Sequence, residues 1–307
     1  MDKEKSKIEQ VMEQLKEGVK AIFDSDGYLE YLKFLNKFSE YSINNQMLIF
    51  LQKPDASLVA GYHAWEEKFN RHVLKGEKGI TIIAPCKYKR EVDVHNDDGS
   101  LKLDAQGNPE KREIEMQGFK TSTVFDVSQT EGAPLPEYIS DLTDTVENFM
   151  DYFAAIEAIS PVPVRFDDLT GSVHGYYSPT KQEIVIKKGM SEEQTLKTLC
   201  HEVTHARLDH GSKDDQTDKR TKEVEAESVA FVVCNEYGLD TSSYSFGYIA
   251  GWSTDKNITE LMASFDRIRV ESSKMINEIK QHMDMSIHRE NKIDSPKVEG
   301  RAMRMAM

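Results

Sequence analysis

Ser191-Glu-Glu-Gln-Thr-Leu-Lys-Thr-Leu-Cys-His201-Glu202-Val-Thr-His205 is the stretch on which the reading of this chain turns. Ser191 is a residue type that accepts backbone N–H groups at a helix start. Glu192 and Glu193 put negative charge on the first turn, and Gln194 stands where a capping box wants it. The helix opened there runs to about Leu208. His201 and His205 are four apart on it, so they share a face with Cβ atoms roughly 5–6 Å apart. Two imidazoles at that spacing can hold one Zn2+ ion, and Glu202 beside the first is placed to take a proton from water.

The flanks supply what such a helix requires. Upstream, residues 162–166, 174–177 and 183–186 read as short strands, with Ser178-Pro-Thr-Lys181 as the turn between the last two. Zinc peptidases use an edge strand of this kind to hold substrate. Downstream, 211–220 is a polar loop, and a helix over about 222–237 is stopped by Gly238. A catalytic zinc takes three protein ligands and keeps one position open. On this helix Glu223, Ala226, Glu227, Ala230 and Cys234 share a face whose small residues permit close approach, while Glu225 lies with Ser228, Val229 and Val232. Glu223 is the expected third ligand and Glu227 the carboxylate that holds a ligand histidine in its tautomer. Glu225 and Glu227 stay open as alternative ligands. Tyr248, in Phe246-Gly-Tyr-Ile-Ala-Gly-Trp252, and Tyr177 are candidates for a second electrophile. His174 and His210 read as structural or exposed residues.

The chain has 307 residues, 38% of them hydrophobic and 30% charged, which suits two soluble domains. It has no run of 18 apolar residues, so no membrane span is expected. The opening MDKEKSKIEQ has no apolar segment of the secretory kind, and Cys86, Cys200 and Cys234 form no CxxC pair. These features point to a cytoplasmic protein. A net charge of −14 makes the whole chain a poor generic nucleic-acid binder, so a DNA site would be confined to one region.

In the first half, helices are expected over 4–22, 28–38 and 44–51, a short one over 61–69, and strands over 57–60, 80–84 and 118–127. Residues 91–117 carry two turn signals between highly charged flanks, the mark of a protruding hairpin or flexible insertion. Gly132-Ala-Pro-Leu-Pro136 is the expected linker. Further helices are expected over 141–159 and 257–282. The fold class is α+β in both halves, with domains at 1–135 and 140–288 and a disordered tail at 289–307.

Several ordered motifs carry a resemblance. Tyr41-Ser-Ile-Asn-Asn-Gln46, Val59-Ala-Gly-Tyr-His-Ala-Trp65, Val73-Leu-Lys-Gly-Glu-Lys-Gly-Ile80 with Ala84-Pro85, and Val124-Phe-Asp-Val-Ser-Gln-Thr130 resemble the single-stranded-DNA-binding domain of ArdC-type antirestriction proteins. His201 to His205, the Glu-rich helix near Ala226 and Tyr248-Ile-Ala250 are similar to that family's zincin-like peptidase domain, and more loosely to ImmA/IrrE peptidases. The resemblance implies a gluzincin-like zinc metallopeptidase fused to a single-stranded-DNA-binding domain. It would be carried on a mobile genetic element and protect incoming DNA from host restriction, with a host protein as the peptidase's substrate. Between 68 and 90 the basic residues Lys68, Arg71, Lys75, Lys78, Lys87, Lys89 and Arg90 are interleaved with Tyr62, Trp65, Phe69 and Tyr88, which could stack on bases. Trp65, Arg71, Lys75, Lys78 and Lys87 are the expected DNA contacts. Two rival readings remain: a DNA-coating protein with a structural zinc, and a regulatory peptidase that cleaves a repressor and uses its first domain to bind protein.

Overall fold

The computed structural model describes residues 6–23, 27–135, 149–239, 246 and 249–293. The chain divides into two compact units, one of residues 1–27 and 40–137, the other of 28–39 and 138–307. The division at 137 falls beside the expected linker.

The first unit opens on helix α1 (Lys7–Phe23), whose apolar stripe Val11, Leu15, Val19 and Ile22 is buried. It packs on α3 (Ile43–Gln52), where a Cβ on Gly18 would lie 2.2 Å from Leu51 Cδ1, so glycine is what permits the approach. Beneath them β1 (Val59–Gly61), β4 (Lys111–Asp126) and β3 (Ile80–Asp93) form an antiparallel sheet in the order β1-β4-β3. Helix α4 (Tyr62–Phe69) leads into β2 (Arg71–Val73), which pairs with β5 (Thr130–Gly132).

Two devices explain motifs that the sequence displays. Asn45 and Gln52, two turns apart on α3, each exchange a pair of hydrogen bonds with the open edge of β3. Asn45 bonds the N–H and C=O of Ile83 at 2.9 and 2.8 Å, and Gln52 those of Thr81 at 2.9 Å each. Side-chain amides thus stand where a fourth strand would, and the edge is closed. At the far end of β4, buried Asp126 accepts from the backbone of Ser57, Leu58 and Ser128, while the Gln129 side chain returns a bond to Asp126 N–H. The segment 124–130 is a structural corner.

Strands β3 and β4 run on beyond the core as a two-stranded ribbon in unbroken register, from Ile80 opposite Val124 to Asp93 opposite Lys111. The expected insertion over 91–117 is this ribbon and its tip, where Gly99 and Gly107 supply the positive φ that two turns need.

In the second unit β6 (Val164–Asp167), β8 (Glu183–Lys187) and β7 (Gly175–Ser178) form a sheet in the order β6-β8-β7, with β7 at the edge. Helix α6 (Glu192–Arg207) lies on β7 and β8; α5 (Phe149–Ala158) and α7 (Lys219–Glu236) pack on α6, α9 (Ile258–Ile293) on α5 and α7, and α8 (Ile249–Thr254) on α7. Arg207, at the end of α6, pairs with Glu271 and Glu278 of α9 and donates to Ile159 O, which ties α6 to two neighbours.

The structure departs from the expected boundaries in two places. Residues 28–39 are expected with 1–135, yet α2 (Gly27–Leu35) buries itself in the second unit. Tyr28 hydroxyl bonds Ser228 Oγ at 2.7 Å, and the Tyr31 ring meets Phe265 edge-on at 5.0 Å. An apolar pattern says that a helix is buried without saying against what. Helix α9 runs to Ile293, past the start of the expected tail, and residues 294–307 lie outside the described ones. No described helix is long and apolar enough to cross a membrane.

Burial raises the Asp126 carboxyl, but its hydrogen bonds from Ser128, Ser57 and Leu58 outweigh this and hold it below the ordinary value. Its contribution to stability is therefore complete above the unfolded pKa of about 3.9 and fades as pH falls through the lower folded value. Asp126→Asn keeps one acceptor oxygen and loses the other. It should cost about 1–3 kcal/mol in urea unfolding at neutral pH, with the gap from the parent protein narrowing in acid.

Candidate functional site

Ser191 caps α6 by accepting from Gln194 N–H at 3.3 Å. The return half of the capping box does not form, because the Gln194 amide donates to Thr198 Oγ1 at 3.1 Å. The helix carries His201 and His205 on the face turned to α7, with their Nε2 atoms 3.0 Å apart. Glu223 Oε2, from the first turns of α7, lies 3.6 Å from His201 Nε2 and 3.8 Å from His205 Nε2.

These three donors fit a small divalent cation. Ligands at 2.0–2.1 Å around a tetrahedral ion stand about 3.3–3.4 Å from one another, and the observed spacings bracket that value. Among the described residues this is the cluster of histidine, cysteine and carboxylate donors close enough to share one ion.

Each other carboxylate has a different task. Glu202 is nearly buried and accepts the backbone N–H of Tyr177 on β7 at 2.7 Å. Burial pushes its carboxyl up, against the opposing pull of His201 and that N–H. Glu227 stands 3.2 Å from His201 Nδ1, within ion-pair reach but off hydrogen-bond geometry, and 3.6 Å from Lys197. Glu225 is fully buried and turned away from the three donors. Arg267 grips it through Nε at 3.0 Å from both oxygens, and its Oε2 is 3.5 Å from His210 Nε2. The expected placement of Glu223 at the two histidines and of Glu227 behind His201 agrees with this geometry; Glu225 is not at the cluster.

The protonation pattern follows. Burial lowers His201, but Glu223 and Glu227 more than offset this and raise it to about 9. Burial first, then the positive neighbour His201, lowers His205 to about 3.

Edge strand β7 lies directly on α6. A Cβ on Gly175 would sit 2.7 Å from Thr198 Cγ2 and 3.0 Å from Val185 O, so any larger residue would push the strand off the helix. Clefts of about 480 and 350 Å³ open on either side of His201 and Glu202. His174, Gln194 and Lys197 line one, and Tyr176, His210, Lys222 and Glu223 line the other, with Gly175 shared. Tyr177 hydroxyl accepts from Gln182 at 3.1 Å. Tyr248, the other candidate electrophile, lies outside the described residues.

His210 is the site residue that sequence reasoning set aside. Asp209 takes a left-handed conformation (φ 55°) just past the helix end, and the turn brings His210 N–H back to His205 O at 2.9 Å. The His210 ring then meets His205 Nδ1 at 2.8 Å through its own Nδ1. A spacing of five residues across a helix end carries no helical-face signal, which is why it was not legible.

The expected DNA contacts need correction. Trp65 is wholly buried and donates to Phe125 O at 3.0 Å, so it cannot stack on a base. The Arg71 guanidinium is spent on Thr130 and Ala133. Lys87 is exposed but pairs with Glu115 at 2.7 Å; Lys75 and Lys78 are exposed on the turn before β3. One face of the ribbon is neutralised by Lys87–Glu115, Lys89–Glu113 and Lys111–Glu91. By strand alternation Tyr88 and Arg90 of β3 and Arg112 and Lys120 of β4 fall on the other face, which has no acidic residue between Ala84 and Val92 or between Arg112 and Lys120.

Comparison with known proteins agrees with this architecture. Residues 161–238 of the second unit match the IrrE N-terminal-like domain of a peptidase family. Residues 2–125 match the N-terminal domain of anti-restriction factor ArdC, so the chain has the ArdC-type arrangement of that domain followed by an IrrE-like peptidase domain. The crystal structure of antirestriction ArdC from plasmid R388 superposes with a TM-score of 0.55 at 22% identity, covering 88% of this chain and 98% of that one. Its Mn(II)-bound form gives 0.54 at 20% identity, covering 88% and 97%. An uncharacterized protein of Bacillus anthracis is 27% identical over 94% of this chain, which spans 56% of that protein's length.

Replacing Glu223 with alanine should weaken divalent-cation binding about a hundredfold or more in a chelator competition, beyond the range for losing a mere partner of a ligand. Glu236→Ala, at the other end of α7, should leave it unchanged.

Proposed function

We propose that this protein is a zinc metallopeptidase joined to a single-stranded-DNA-binding domain. On this reading it protects incoming DNA of a mobile genetic element from host restriction or defence. The observation that carries the peptidase reading is the placement of Glu202: it is buried beside the His201–His205–Glu223 cluster and fastened to the edge strand by Tyr177 N–H at 2.7 Å.

The chemistry follows from the residues. Tyr177 N–H points away from β8, so Gly175, two residues earlier, turns its own N–H and C=O toward the clefts. An extended peptide can pair there as an added strand, which lays its backbone across His201 and Glu202. A cation held by His201, His205 and Glu223 would polarise the scissile carbonyl and acidify water. Glu202 takes the proton of the attacking water as the C–O bond forms and delivers it to the amine as the C–N bond breaks. Its raised carboxyl suits both duties. The divalent-cation reading draws support from the Mn(II)-bound R388 ArdC, and the choice of zinc from the two-histidine, one-carboxylate donor set.

For nucleic acid the surface that fits is the unpaired ribbon face. Arg90, Arg112 and Lys120 can meet phosphates, and Tyr88, exposed between them, can stack on a base. This places positive charge locally in a chain whose total is −14.

Glu202→Gln should retain zinc and lower peptide-bond cleavage by about 10²–10⁴-fold. If its protective effect in cells were intact, protection would come from coating DNA and not from proteolysis. A labelled single-stranded oligonucleotide should bind in a salt-sensitive way. Reversing Arg90, Arg112 and Lys120 to glutamate should abolish that binding, while Lys87→Glu should change it little; equal effects would remove the ribbon face from the reading.

A further inference from the structure

We infer that His210, backed by the buried Glu225–Arg267 pair, is a positioning group that keeps the proton of His205 on Nδ1 and leaves Nε2 bare toward the metal site. The inference rests on the reading of His201, His205 and Glu223 as ligands, and concerns residues that touch neither substrate nor ion.

The two Nδ1 atoms of His205 and His210 are 2.8 Å apart, so one proton lies between them. Which ring owns it is decided on the far side of His210. There His210 Nε2 faces Glu225 Oε2 at 3.5 Å, in a place where His210 is 5% exposed and Glu225 is closed off from water. A carboxylate opposite a bare ring nitrogen would set lone pair against lone pair in a dry environment, so His210 carries its proton on Nε2. Arg267 already balances the Glu225 charge through three short contacts, and is itself steadied by Ser264 Oγ at 3.1 Å. With its proton on Nε2 toward Glu225, His210 presents a lone pair at Nδ1 and accepts from His205 Nδ1–H across the 2.8 Å contact.

The other side of His205 agrees. Its Nε2 lies 3.0 Å from His201 Nε2 and 3.8 Å from Glu223 Oε2, so this nitrogen faces the ion's place. The tautomer set by His210 leaves the Nε2 lone pair on that side. Ligand histidines ordinarily find a carboxylate or carbonyl at the second nitrogen. Here the carboxylate is one imidazole further out, because α7 turns Glu225 toward α9 while Glu223 and Glu227 face α6.

The test begins on the full-length, metal-free protein labelled with 15N-histidine. Multiple-bond proton–nitrogen correlation should find His205 protonated at Nδ1 alone and His210 at Nε2. A zinc titration against a chelator should then show His210→Phe weakened by about 10–100-fold. His210→Gln, whose side-chain oxygen can accept from Nδ1–H, should recover most of the affinity, although a merely space-filling role would favour the ring. A His205 proton on Nε2, or a phenylalanine variant that binds zinc like the parent, overturns the inference. If the phenylalanine variant does not fold, the wild-type spectrum alone decides. Should the wild-type protein take up no zinc, the ligand reading falls, and the same spectrum still decides the tautomer.

Discussion

The close packing of α6 on α7 is the constraint from which the site follows. Ala226, Ala230 and Cys234 on α7 and Cys200 on α6 are all buried, and their small side chains allow the helices to approach. Only then can carboxylates as short as Glu223 and Glu227 reach the histidines of α6. The two cysteines act as compact apolar residues in this seam; the contact with Cys234, and then burial, push the Cys200 thiol up, away from reactivity.

A second close approach completes the arrangement. Gly175 lets β7 touch α6, and the N–H of Tyr177 then holds Glu202. Helix α6 is thus clamped by α7 on one side and by an edge strand on the other, while Arg207 anchors its end to α9. Four glutamates stand within this small region, and each is distinguished by its surroundings. One is set beside the histidine nitrogens, one is buried against the edge strand, one lies behind His201, and one is locked to an arginine. Burial and partner, more than residue type, assign the task.

Much of this was legible in the chain. The caps of α6, the i and i+4 histidines and the alternation of small and acidic residues on α7 are local patterns. Local patterns survive folding because helix geometry is the same everywhere. The face argument on α7 separated Glu223 and Glu227 from Glu225 for that reason. Trp65 and Arg71 misled because a run of cations and aromatics says nothing about burial or pairing: the tryptophan became core and the arginine a backbone clamp.

The sequence by itself determined the secondary elements around the histidines, the donor types they offer, and the break between the two halves near residue 135. Tertiary structure alone decided that α2 belongs with the second half, that His210 folds back on His205, that Glu225 belongs to Arg267, and that the unpaired cations lie on one ribbon face. Each of these depends on atoms from elements far apart in the chain, or on a left-handed residue that redirects it. A one-dimensional pattern records the period of a helix or strand, but not the neighbour against which its faces come to rest.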